Sequence, residues 1–109
     1  MDAREERLAQ NEILFREVNE RIEQTATPHG TDWHLYEFLC ECSNMDCTLR
    51  LPMAIATYEE VRSDPACFLV ALGHELPEIE EVLYRTSDYQ VVKKEGEAAR
   101  LVTREDPRS

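Results

Sequence analysis

Residues 40–47 read CECSNMDC, which sets Cys40, Cys42 and Cys47 at the spacing C-x-C-x4-C. In an extended segment Cys40 and Cys42 point to the same face, and Asn44 and Asp46 supply turn chemistry that folds Cys47 back toward them. Three sulfurs then converge on one point. A tetrahedral zinc site asks for three or four such ligands, at about 2.3 Å for sulfur and about 2.0 Å for imidazole nitrogen. A centre of this kind suits a small chain, because metal binding ties together segments that a modest core holds weakly.

The fourth ligand has to come from elsewhere. His74 is the first candidate, since it follows the break at Gly73, where a strand end can present its side chain to a neighbouring loop. Glu75 beside it is either an acceptor for the imidazole or a surface acid. Cys67 competes, but it opens the apolar run CFLVALG, where a free cysteine behaves as a small buried hydrophobe. His34 lies six residues before Cys40, and His29 sits in the turn-rich TATPHGTD, the weakest position of the set. A water in the fourth place would leave an open zinc position able to activate it, with Glu41, Asp46 and Glu75 as candidate acid or base groups. Neighbouring thiols also admit a redox switch, although the C-x-x-C spacing of such sites is missing. No HExxH, Walker A, G-x-G-x-x-G or G-x-S-x-G pattern occurs, so no motif-based enzyme reading gains support.

On either side of the cluster the text alternates between helix and strand. Residues 4–27 are rich in Glu, Arg, Ala and Leu and predict a long amphipathic helix, with Leu8, Phe15, Val18 and Ile22 as its apolar stripe and Leu14 beside it. That helix either crosses the core or pairs with another subunit. Trp33–Leu39 predicts a short strand whose aromatics Trp33, Tyr36 and Phe38 anchor the core. TLRLPM predicts another strand, with Pro52 at its end or on an edge. ATYEEVRSD predicts a compact helix with Thr57 and Glu60 as a capping box, ended by Asp64-Pro65. CFLVALG reads as a buried strand, IEEVLYRTSDYQVVKKEG as two strands about a turn near Ser87-Asp88, and GEAARLVTRED as a last helix. The pairs Glu59-Glu60 and Glu80-Glu81 read as solvated faces. The whole predicts a single domain over residues 1–109, α+β in class, with a small mixed or antiparallel sheet, a long N-terminal helix and a zinc knuckle.

The 109 residues carry 23 acidic and 12 basic side chains, for a formal charge of -11. Such a surface repels nucleic acid and anionic membranes, and leaves a protein partner or a second copy of the chain as the expected company. The start MDAREERLAQNE has neither the basic leader nor the apolar stretch of a secretory signal, and the expectation is a cytoplasmic protein. In that compartment clustered cysteines favour metal over disulfides.

The segment FLCECSNMDCTLRLPMAIATYEEVRSDPACFLVALGHE resembles a family of small, largely uncharacterised proteins of actinobacteria and related soil bacteria. Its marks are an F-x-CEC-x4-C segment, a Y-E-x-V-R helix and a G-H-E. The resemblance extends over most of residues 10–108. It implies Cys40, Cys42, Cys47 and His74 as the motif positions, leaves Cys67 outside them, and implies no named activity. The resulting expectation is a small intracellular zinc-binding interaction or regulatory protein with a structural Cys3His site. A small zinc-dependent hydrolytic enzyme or a thiol-based redox sensor is the alternative.

Overall fold

Asp2 and Glu5 start the first helix. The Glu5 amide donates to Asp2 Oδ1 at 2.7 Å and the Asp2 amide to Glu5 Oε1 at 3.3 Å, a reciprocal cap at the helix start. Helix α1 spans Ala3–Ala26, one residue earlier at each end than the sequence predicts. The structure, a computed structural model, describes residues 1–26 and 34–108; the predicted turn that holds His29, and Trp33 after it, lie outside the described residues.

The other elements are β1 (Tyr36–Leu39), β2 (Arg50–Met53), α2 (Ile55–Arg62), β3 (Cys67–Val70), β4 (Glu80–Arg85), β5 (Gln90–Lys94) and α3 (Gly96–Arg104). This is an α+β fold with two small antiparallel sheets: β1 pairs with β2, and β5 lies between β3 and β4. Pro52 sits in β2 with its ring exposed, tolerated because a two-stranded sheet has only edge strands. The β4–β5 turn is closed by Thr86, whose Oγ1 accepts from the Asp88 and Tyr89 amides at 3.1 Å. Helix α2 packs on β3, α3 on β5, and α1 against β1 and α3. Phe38, Tyr58, Phe68, Leu69, Val70, Val91, Val92 and Val102 fill the space between them, with the Phe38 and Tyr58 rings stacked at 4.4 Å.

Two local expectations are corrected. The cap of α2 is Ala54, whose carbonyl accepts from the Thr57 and Tyr58 amides at 3.1 Å. Thr57 and Glu60 therefore lie inside the helix, because the chain turns into α2 directly from β2. The pair Glu80-Glu81 is split: Glu81 is exposed, but Glu80 is buried.

The larger correction concerns α1. Leu14 and Val18 are 48% and 43% exposed, and Leu8, Phe15 and Ile22 are half-buried. The face turned inward carries Ala9, Glu12, Ile13, Arg16, Asn19 and Glu20, all buried. Each polar member binds a different distant segment. Glu12 meets Lys94, which also binds Glu80. Arg16 donates from Nη1 to the Pro65 carbonyl at 2.7 Å and from Nη2 to that of Cys67, while its guanidinium lies 3.5 Å above the centre of the Phe68 ring. Asn19 donates to the Leu39 carbonyl at 2.9 Å and accepts from the Leu39 amide at 2.7 Å. Glu20 accepts from Arg62 Nε at 2.5 Å and from Arg108 Nε at 2.8 Å. The groove under α1 is lined with carbonyls and charges, so polar side chains enter it beside Ala9 and Ile13, and Leu14 and Val18 are left outside. Burial is the first cause that pushes the Glu12 carboxyl well above its ordinary range, and it draws the Arg16 guanidinium down.

Candidate metal centre

The CEC segment follows β1 and hydrogen-bonds to both sheets. The Cys40 amide donates to the Leu49 carbonyl at 3.1 Å, continuing the β1–β2 ladder, and the Glu41 amide donates to Leu69 of β3 at 2.7 Å. Two sulfurs of an extended segment are thereby fixed at the seam between sheets. Asn44 then turns the chain: its Oδ1 accepts from the Asp46 amide at 2.9 Å and its carbonyl from the Cys47 amide at 3.0 Å. That is the Asx-type turn its residue type favours, and it carries Cys47 back toward Cys40 and Cys42.

The fourth group arrives from the end of β3. The His74 amide donates to the Ala71 carbonyl at 3.0 Å, closing a turn in which Gly73 has φ of 80°, a conformation open mainly to glycine. Around this turn His74 is aimed at the knuckle. The donor atoms of Cys40, Cys42, Cys47 and His74 all lie within 4.8 Å of one another. His74 Nδ1 is 3.6 Å from Cys40 Sγ and 3.7 Å from Cys47 Sγ. A tetrahedron with the zinc bond lengths given above has edges of about 3.5–3.8 Å, so these two separations fit the metal without rearrangement.

The cluster has an electrostatic demand of its own. The Cys42 thiol is pushed down to about 5, first by the hydrogen bond from Cys40, then against burial by contacts from His74, the Asn44 backbone and Cys47. Cys40 is pushed up by the same bond and by burial, and Cys47 chiefly by burial. The Ala71 amide donates to Cys40 Sγ at 3.1 Å, a contact that favours the thiolate. A divalent cation that replaced the remaining thiol protons would balance sulfurs that otherwise share their protons. Cys40 and Cys42 are buried, and Cys47 and His74 half-buried.

The competing positions lie apart from this point. Cys67 is buried at the far end of β3, four residues back from Ala71, on the order of 13 Å at strand rise. Burial also pushes its thiol up to about 11. His34 is exposed and packs its ring against Tyr36 at 4.5 Å. The acid and base candidates are spoken for or turned away. Glu75 accepts from Gln90 Nε2 at 2.6 Å and Arg85 Nη2 at 3.2 Å. Glu41 is fully buried and accepts from Tyr58, Asn19 and the Leu69 amide; Asp46 is exposed on the turn. The role of Glu41 as a buried anchor was missed by the sequence reading, although strict alternation in CEC already placed it opposite the two sulfurs.

No known protein family, curated protein or solved structure matches the chain. Fold and site together define the class: a small α+β protein with a Cys3His cluster poised to coordinate a metal ion, in the manner of a structural zinc site. Among the described residues no helix is long and apolar enough to cross a membrane.

Proposed function

We propose that the chain is a small cytoplasmic zinc protein whose Cys3His centre is structural and whose work is interaction with another protein, in a regulatory role. The observation that carries it is the convergence of four protein donors within 4.8 Å, enough ligands for a tetrahedral sphere without water as the fourth. Four protein donors support a structural centre over a hydrolytic one, as does the engagement of Glu41 and Glu75 elsewhere in the fold. The formal charge of -11 supports a protein partner, with basic surface, over nucleic acid. Kinship with the actinobacterial family belongs to the same proposal and rests on the CEC-x4-C, Y-E-x-V-R and G-H-E segments.

Native mass spectrometry of protein purified without added metal tests the reading. The expected result is one zinc per chain, with the oligomeric state read from the same spectrum. Chain without metal, or zinc retained in full after Cys42→Ser together with His74→Ala, would overturn it.

A further inference from the structure

Glu41 stands between two of the four cluster residues and takes no part in the chemistry proposed for them. Its side chain is 0% exposed, and its carboxylate accepts from the Tyr58 hydroxyl at 2.7 Å, Asn19 Nδ2 at 2.9 Å and the Leu69 amide at 3.0 Å. A buried carboxylate held by neutral donors depends on keeping all of them in place, because each lost bond leaves charge uncompensated in a low-dielectric interior.

Asn19 grips the same strand a second time, pairing with both the amide and the carbonyl of Leu39. Further along, Asn11 Nδ2 donates to the Ser43 carbonyl at 2.9 Å. Helix α1 thus holds residues 39, 41 and 43, while the sulfurs come from residues 40 and 42. The two grips alternate along one extended segment, so a shift that satisfies one disturbs the other.

We propose that metal occupancy of the Cys3His centre and docking of α1 are coupled through residues 39–43, so that the metal state regulates how tightly α1 is held. The proposal rests on the metal-binding reading and extends it. Coupling between two binding equilibria is reciprocal. Loss of metal loosens the polar inner face of α1 from its groove, and loss of the Asn19 and Asn11 contacts weakens the metal site that neither residue touches.

The test compares the full chain with zinc and after chelation by hydrogen exchange, and measures zinc affinity of variants by competition with a chromophoric chelator. Chelation is expected to raise exchange in α1 about tenfold or more beyond any rise in β4 and β5. Asn19→Ala and Asn11→Ala are each expected to weaken zinc binding about tenfold or more, the usual effect of removing a group that orients metal ligands. Val82→Ala, a truncation in β4 away from this segment, is expected to stay within about twofold of wild type, as independent sites do. Should Asn19→Ala fail to fold, Asn11→Ala decides, since it removes one partly exposed neutral bond. Exchange that rises equally in α1 and β4–β5, or not at all, overturns the coupling. So does wild-type affinity in the asparagine variants, or equal weakening by Val82→Ala. A wild-type chain that binds no zinc sinks both the metal reading and this one; zinc at full stoichiometry with any of the other negative results sinks the coupling alone.

Discussion

The inner face of α1 and the 40–47 knuckle both join segments far apart in sequence, and both gather groups whose charge is expensive to bury. Along α1 the chain brings its own counter-charges: Lys94 between Glu12 and Glu80, and Arg62 between Glu20 and Asp106. At the knuckle three sulfurs and an imidazole meet with no cationic side chain among the cluster residues, and the balancing charge is left to an ion from solution. The difference teaches what each region responds to. An internal ion pair is present whenever the chain is folded, and breaking it strands its partner. A metal site follows metal concentration and proton activity, because its ligands must lose protons to bind.

The sharpest way to break this comparison is Lys94→Ala. It leaves the Glu12 and Glu80 carboxyls buried with no ammonium between them, and a loss of about 3–5 kcal/mol is expected by urea denaturation of the metal-bound protein, with a smaller loss after chelation, which already loosens Glu12 from Lys94. A loss of the same size with metal and with chelator would show that the two regions stabilise the fold independently.

Glu12→Gln acts on the same group of charges in the opposite sense. Burial raises the folded-state value of the Glu12 carboxyl above its ordinary 4.5, so folding favours the protonated form. The associated stability is fully present below that ordinary value and is lost as pH rises through the folded one. A glutamine cannot lose a proton. Thermal melts from acid to mildly alkaline pH should therefore show wild type declining relative to Glu12→Gln, with the curves closest at the acid end; parallel curves would refute the buried proton.

Gly73→Ala probes the knuckle without touching a ligand. The added Cβ meets no heavy atom within 4 Å, so the whole cost is the left-handed backbone, about 1–2 kcal/mol. It should appear as a lower melting temperature together with weaker zinc binding, because the turn aims His74. Smallest of all is Val18→Ser. The exposed side chain should change stability by no more than about 0.5 kcal/mol, whereas a larger drop in a denaturant titration would restore the apolar stripe predicted from the sequence.

The legible parts of the fold share a property. The Asn44 turn, the Thr86–Tyr89 turn, the buried run in β3 and the cysteine spacing are all specified by residues within a few positions of one another. His74 was legible for a similar reason, since Gly73 marks its turn and a three-cysteine cluster asks for one more donor. Glu80, Lys94, Arg16 and Glu41 were not. The first three read as surface and Glu41 as a candidate acid or base, and what buries them is a partner that only the folded chain supplies: Glu12 lies 82 positions from Lys94 and Glu20 lies 88 from Arg108. One signal was available, because Glu12, Arg16, Asn19 and Glu20 recur at the spacing of a single helical face with Ala9 and Ile13.

The elements, their order and the three clustered cysteines followed from the sequence alone, because backbone preference, turn chemistry and sulfur spacing are local properties; that His74, and not Cys67 or His34, lies beside those cysteines came from the fold. Only the tertiary structure decided which side of α1 faces inward and which charges lie in the core. A charged side chain chooses between water and burial according to the counter-charges within a few ångströms of it, and those are set by the packing of the whole chain.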